Sequence, residues 1–310
     1  MHEVNEMRRK ARAGVRSCMK FNAYDAFVYI FCFAFALVCF YPMWFVLINS
    51  LTTTNELLLD RYVYLFPKKA SIDYYAGILS TSLFLSSLKW SVVKTVLGTL
   101  LELSITSAAA YAASKYHLKG MRTINFLFVF TMFFSGGLVP TYFLYKDIGL
   151  LKNFLAMVVP MGFSVSNYII MRNYFSYTVP KELEESALIE GANEVRVFLR
   201  IVLPISIPMM AALGLFTAVG HWNDYTSYIY YVNDTTHQPY VWVLRRVLTE
   251  GTTLSTLSQQ AASNTGMETR PADLQLQMAT IICAMLPIMI VYPFLQKYFA
   301  KGILLGAVKG

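Results

Sequence analysis

Charged side chains are scarce in this chain, and past the N-terminal segment a group of them lies at residues 178–204, TVPKELEESALIEGANEVRVFLRIVLP. This polar stretch separates two segments apolar enough to sit in lipid. Pro180 suits the first position of a helix, and Val179 before it is pushed toward extended geometry. Glu182, Glu184 and Glu185 then fall in the opening turns, where the positive end of a helix favours carboxylates. Gly191 suits the left-handed cap that ends such a helix. Asn193 suits the start of a second one. In that second helix Val195, Phe198, Leu199 and Val202 share one face, while Arg196 and Arg200 point elsewhere. Pro204 and Pro208 bend or restart the chain. The spacing predicts two short helices with a glycine elbow, held at a membrane surface.

Two further places put ionisable groups near apolar runs. Glu102 stands inside one, with Lys94 two turns before it. A carboxylate at that depth is costly, so it should face the bundle interior or water. It either lines a pathway or pairs with another helix. The second place is Gly220-His221-Trp222-Asn223-Asp224-Tyr225, at the end of another run. Trp222 suits an interface anchor there. His221 lacks a second His or Cys at ligand spacing, so no metal site is expected. The patterns G-x-x-x-x-G-K-[ST], H-E-x-x-H, C-x-x-C and G-x-S-x-G are all missing. The chain is therefore expected to transport rather than to catalyse.

The elements that must position these residues follow from composition. Of 310 residues 56% are hydrophobic and 14% charged, and the mean hydropathy is +0.48. Ordinary soluble domains carry roughly 25% charged residues. The chain reads as an all-α membrane protein. The net charge of +8 does not indicate nucleic acid, because the basic residues flank apolar spans, where they set topology. Cys18, Cys32, Cys39 and Cys283 lie in a basic tail or within spans, so no disulfide framework is expected.

Six transmembrane helices are expected: Ala26–Asn49, Leu88–Ser114, Ile124–Tyr145, Phe154–Met171, Ile201–Val219 and Leu274–Phe294. Gly136-Gly137 and Pro140 interrupt the third, and Pro160 with Gly162 kinks the fourth. Basic residues at Arg8–Lys20, Lys115–Arg122, Arg172 and Lys297–Lys309 put both termini in the cytoplasm. The domain reading is a basic segment 1–25, a first helix with its outer loop 26–87, a core 88–298 and a cytoplasmic tail 299–310. Residues 226–272 read as the longest outer loop, Ser/Thr/Gln-rich from Thr252 to Thr269.

Glu185-Ser186-Ala187, three residues, Gly191, nine residues, then Ile201-x-Leu203-Pro204 resembles the EAA loop of bacterial ABC importer permeases. The one departure is Ser186, where the family usually has Ala. Trp222-Asn223-Asp224 and the ending Gly306-Ala307-Val308-Lys309-Gly310 resemble the carbohydrate, maltose-type branch, and the likeness covers nearly the whole chain. The resemblance implies a type I importer core with an extra N-terminal helix in the bacterial cell membrane. It implies a second homologous permease chain, in a heterodimer, two cytoplasmic ATPase subunits and an external solute-binding protein. ATP and Mg would be used by the ATPases, with no cofactor on this chain. Residues 178–204 would couple to the ATPase, and the tail would reach into it. Glu102, Trp222, Asn223 and Asp224 are candidates for the path of a carbohydrate, an oligo- or polysaccharide; aromatic faces with amide and carboxylate groups suit a sugar. The alternatives are the same machine for another solute, or a secondary carrier or channel. The last predicts more ionisable groups at mid-depth and an inverted repeat.

Overall fold

The computed structural model describes residues 23–52, 65–67, 69–115, 118–249 and 273–307. Among them the chain is helical, with one isolated antiparallel bridge between Thr52 and Ala70. It divides into two compact units, Met1–Ser71 and Ile72–Gly310. The basic segment to residue 22, the Thr252–Thr269 stretch and the last three residues, Val308, Lys309 and Gly310, lie outside the described residues.

The first unit holds helix α1, Ala23–Leu51, close to the expected span. Phe27, Phe31 and Phe35 stack one turn apart on an exposed face, with centroids 6.3 and 6.4 Å apart. That suits contact with lipid tails. Trp44 donates from Nε1 to the Leu65 carbonyl at 3.1 Å, which ties the returning chain to the helix.

The second unit is built on α3, Ser82–Ser114, preceded by the short α2, Asp73–Ser80, in a region expected to be loop. At 1.5 Å per residue the 33 residues of α3 span about 50 Å, well beyond a hydrocarbon core of roughly 30 Å. Its buried stripe is Ser87, Ser91, Lys94, Gly98, Glu102, Thr106 and Ala110, at helical spacing. The large apolar residues Val92, Val96, Leu97 and Leu100 face outward. In lipid that inversion is favourable, because small residues let helices approach closely.

Gly98 shows how close. A Cβ built there would lie 2.5 Å from ring atoms of His221, which is fully buried. Gly98→Ala is expected to cost about 1–3 kcal/mol through overpacking. Thermal unfolding of the purified protein checks this, and Gly98→Ala with His221→Ala should recover most of the loss.

Several expected spans are broken. The third is α4, Met121–Phe133, and α5, Leu138–Asp147, which meet at 117°. Gly137, at φ 83°, turns the chain, and Pro140 sits in the first turn of α5, where a missing N–H costs little. The fourth is a 3₁₀ turn, Phe154–Met157, then irregular chain, then α6, Val165–Tyr177. Pro160 and Gly162 stop the helix rather than kink it; Gly162 lies against Leu101 of α3. The fifth starts late. Helix α8, Glu194–Ile205, meets α9, Ile207–Asn223, at 80°, so Ile201 belongs to the elbow and the span proper begins at Ile207.

Residues 226–249 of the expected outer loop are structured. They hold a π turn, Tyr228–Val232, and helix α10, Tyr240–Thr249, whose Tyr240, Val243 and Val247 are buried. Helix α11, Asp273–Ala307, continues past the expected end at Phe294, so Gly306 and Ala307 are helical. Three described helices are long and apolar enough to cross a membrane, or five if each bent pair is one span.

Candidate functional site

The elbow is built as its caps dictate. Helix α7, Lys181–Ile189, begins one residue after Pro180, whose φ of −64° leads into it. At its end the Ala192 amide donates to the Ala187 carbonyl and the Gly191 amide to the Leu188 carbonyl, both at 3.0 Å. This is a Schellman cap, and it needs the left-handed residue that Gly191 supplies at φ 86°. Asn193 then accepts the Arg196 amide at 2.8 Å and opens α8.

Inside α8 the residues Phe198–Val202 form a π turn. The expected shared face splits there. Val197 and Val202, five apart, are fully buried, while Val195 and Leu199 are 64% and 55% exposed. A widened turn shifts the register, which an ideal 3.6-residue period does not anticipate.

A compact ionic cluster fastens the elbow to the lower end of α3. The Tyr111 hydroxyl donates to Glu194 at 2.7 Å and to Glu184 at 3.3 Å. Lys115 pairs with Glu184 and lies 3.6 Å from Glu194. Its ammonium also stands 4.5 Å from the Tyr111 ring centroid, and that ring stacks on Phe198 at 4.9 Å. Glu184 is therefore the carboxylate that ties the elbow to α3. Glu185 and Ser186 are exposed, and Glu185 forms no ion pair among the described residues. Ala187 packs inward against the core, while Ile189 at the tip is 87% exposed. Leu203 and Pro204 sit at the end of α8, beside the bend into α9.

Mid-bundle, Glu102 is buried and shared by three helices. It accepts from Asn167 of α6 at 2.8 Å and from Thr217 of α9 at 3.3 Å, with His221 of α9 at 3.5 Å. Its partners, half-buried Asn167 and buried Thr217 and His221, belong to the two helices that enter and leave the elbow. Lys94 does not partner Glu102. It pairs with Asp224 at 2.8 Å, its side chain 1% exposed.

Trp222 is buried, not set at an interface, and borders an apolar cavity of about 170 Å³ between α3, α9 and α11. Asn223 is exposed, and Asp224 also accepts from Thr226 and Ser227. Nearby, Trp90, Phe154 and His237 cluster with centroids 4.4 to 5.7 Å apart. Burial pushes the Asp234 carboxyl up, but hydrogen bonds from His237 outweigh it and hold it below the usual carboxylate range. Trp90 in α3 and Lys115 at its C-cap lie roughly 35–40 Å apart along the helix axis, more than the roughly 30 Å of a hydrocarbon core.

Sequence reasoning missed Tyr111 and the structural use of Lys115, Glu184 and Glu194. Lys115 was visible only as a topology marker, and Tyr111 gave no signal.

A family model described as "Binding-protein-dependent transport system inner membrane component" matches residues 14–305. The chain is 40% identical over 292 residues to the polygalacturonan/rhamnogalacturonan transport system permease protein YtcP of Bacillus subtilis (strain 168), covering 94% of this chain and 100% of that one. It is 42% identical over 271 residues to protein LplC of the same organism, covering 87% and 89%. Among solved structures it resembles a chain from a bacterial ABC transporter involved in the import of the acidic polysaccharide alginate. The TM-score is 0.81 at 26% identity, with 90% of this chain and 99% of that one covered.

Proposed function

Because the chain belongs to the family of binding-protein-dependent transport system inner membrane components, we propose that it is the permease subunit of an ATP-driven importer for an oligo- or polysaccharide. The relatives support the carbohydrate class: their names include polygalacturonan, rhamnogalacturonan and alginate transport. A second, homologous permease chain would complete the path, two cytoplasmic ATPase subunits would drive it, and an external binding protein would deliver the sugar. ATP and Mg would be handled by the ATPases.

The observation that favours coupling through residues 178–204 is the Tyr111–Lys115–Glu184–Glu194 cluster. It fixes a short capped helix to α3 while leaving Glu185, Ser186 and Ile189 outward. A docked ATPase would push on a stiff joint, and the Glu102 network would pass the displacement to α3, α6 and α9 together. Gly191 would set the bend; Ile201, Leu203 and Pro204 would join it to the span. Helix α11 would carry Gly306 to Gly310 toward the same partner. Asn223 is the exposed candidate for the sugar path, beside Asp224.

The test is uptake and co-purification. Glu185→Lys alters only an exposed side chain, so the permease should accumulate normally while ATPase recovery and uptake fall. Gly191→Pro cannot adopt φ 86° and loses the amide bonded to Leu188, so it should do the same through the bend. Wild-type ATPase recovery and uptake in both variants would refute the coupling role.

A further inference from the structure

We propose that the end of the bundle opposite the elbow carries a subsite for the carboxylates of an acidic oligosaccharide, read by Arg245 and Lys152 on either side of the Tyr225–Val232 turn. The inference rests on the carbohydrate reading above and deepens it to uronic-acid-containing chains.

Arg245 is exposed on α10, opposite that helix's buried face. Its Nη1 donates to the Tyr225 hydroxyl at 2.5 Å, and its guanidinium lies 4.8 Å from the Tyr225 ring centroid. Tyr225 is the guanidinium's one partner among the described residues. A guanidinium has five N–H donors in a planar fork, so the held group still offers a bidentate edge. That edge matches a carboxylate, and a stacked guanidinium loses little freedom on binding.

Lys152 stands at the other side of the same turn. Its amide donates to the Tyr231 carbonyl at 2.7 Å, and Tyr231 packs against Tyr145 at 4.7 Å. The turn between the two cations advances roughly 10 Å at helical rise. Half-buried Tyr145, Tyr225 and Tyr231 add aromatic surface along the same turn, a kind of surface that suits sugar rings.

The charge balance supports a ligand. Asp224 is taken up by Lys94, Thr226 and Ser227, and Asp234 by His237. The two carboxylates that flank the Tyr225–Val232 turn are thus already engaged; Asp147, near Lys152 in sequence, is exposed and forms no ion pair among the described residues. If the elbow faces the cytoplasm, these cations stand on the outer side, where Lys and Arg are otherwise disfavoured. A positive rim beside the path would also draw anionic solute toward it.

The test uses the complete transporter in proteoliposomes with its binding protein, and short oligogalacturonides as the probe. Arg245→Gln and Lys152→Gln should each lower uptake of the acidic oligomer by about tenfold or more, the size of one lost charge-assisted contact. The binding-protein concentration giving half-maximal ATPase stimulation should stay within about twofold. Arg245→Lys should be intermediate, since it keeps the charge and loses the fork. Unchanged uptake overturns the subsite. A matching loss of binding-protein docking also overturns it and assigns the cations to that protein's surface. A wild-type transporter that imports neutral oligosaccharides but not the acidic oligomer refutes the acidic class and leaves the importer reading standing. Import of no saccharide refutes both.

Discussion

Glu184→Lys is expected to abolish uptake, and to do so by freeing the elbow from α3. The Glu184 and Lys115 side chains are 9% and 16% exposed, and Tyr111 completes the site from the same helix. The substitution sets two ammonium groups against each other and removes an acceptor from Tyr111. Breaking a mostly buried pair from one side costs about 3–5 kcal/mol. Helix α7 has nine residues and cannot hold itself in place, because helices that short are marginal without tertiary contacts. ATPase recovery should fall with uptake, and protease cleavage at the elbow should rise. Glu185→Lys, one residue away, should lose the ATPase without that rise in cleavage. Exchanging the charges, Glu184→Lys with Lys115→Glu, should restore part of the activity. Wild-type behaviour of the single variant would show that the cluster does not hold the elbow.

Asp224→Ala should be the most damaging change at the opposite end. It leaves Lys94, 1% exposed, without its carboxylate inside the bundle. The expected penalty is again about 3–5 kcal/mol, seen as a fall in accumulated protein. Replacing the pair together, Lys94→Met with Asp224→Leu, should restore accumulation, because apolar substitutes for a buried ion pair are often neutral or better. The experiment also decides what Asp224 is for. If the single variant accumulates normally yet imports nothing, Asp224 acts on the solute. If the double variant regains both accumulation and uptake, its work is to hold Lys94.

Apolar runs and their basic flanks made the membrane class and most spans legible, since those signals are local. The elbow was legible for the same reason: Pro180, Gly191 and Asn193 each act within a few residues. What escaped were pairings across the chain. Lys94 meets a partner 130 residues away and Lys115 one 69 residues away, and nothing in the spacing joins them. Lys94 lay near Glu102 in sequence, yet a different helix supplied its carboxylate. The π turn at Phe198–Val202 escaped because one extra residue in a turn leaves no mark in composition. Residues 226–249 looked like loop because their helix, ten residues long, is too short to read as a span, while Tyr240 and Val247 bury themselves against α3 and α11.

The sharp bend between α4 and α5 bears on how the protein must be made. No residue of either helix is buried, and Phe133 and Phe134 at the bend are 78% and 65% exposed. The amides of Ser135 and Gly136 find no acceptor among the described residues. Helix α4 rises about 20 Å before the break, which leaves those amides inside a hydrocarbon layer of roughly 30 Å. Oil offers them nothing. In the assembly proposed above, a neighbouring permease chain would cover this flank, and a copy made without it should be cleared by proteolysis.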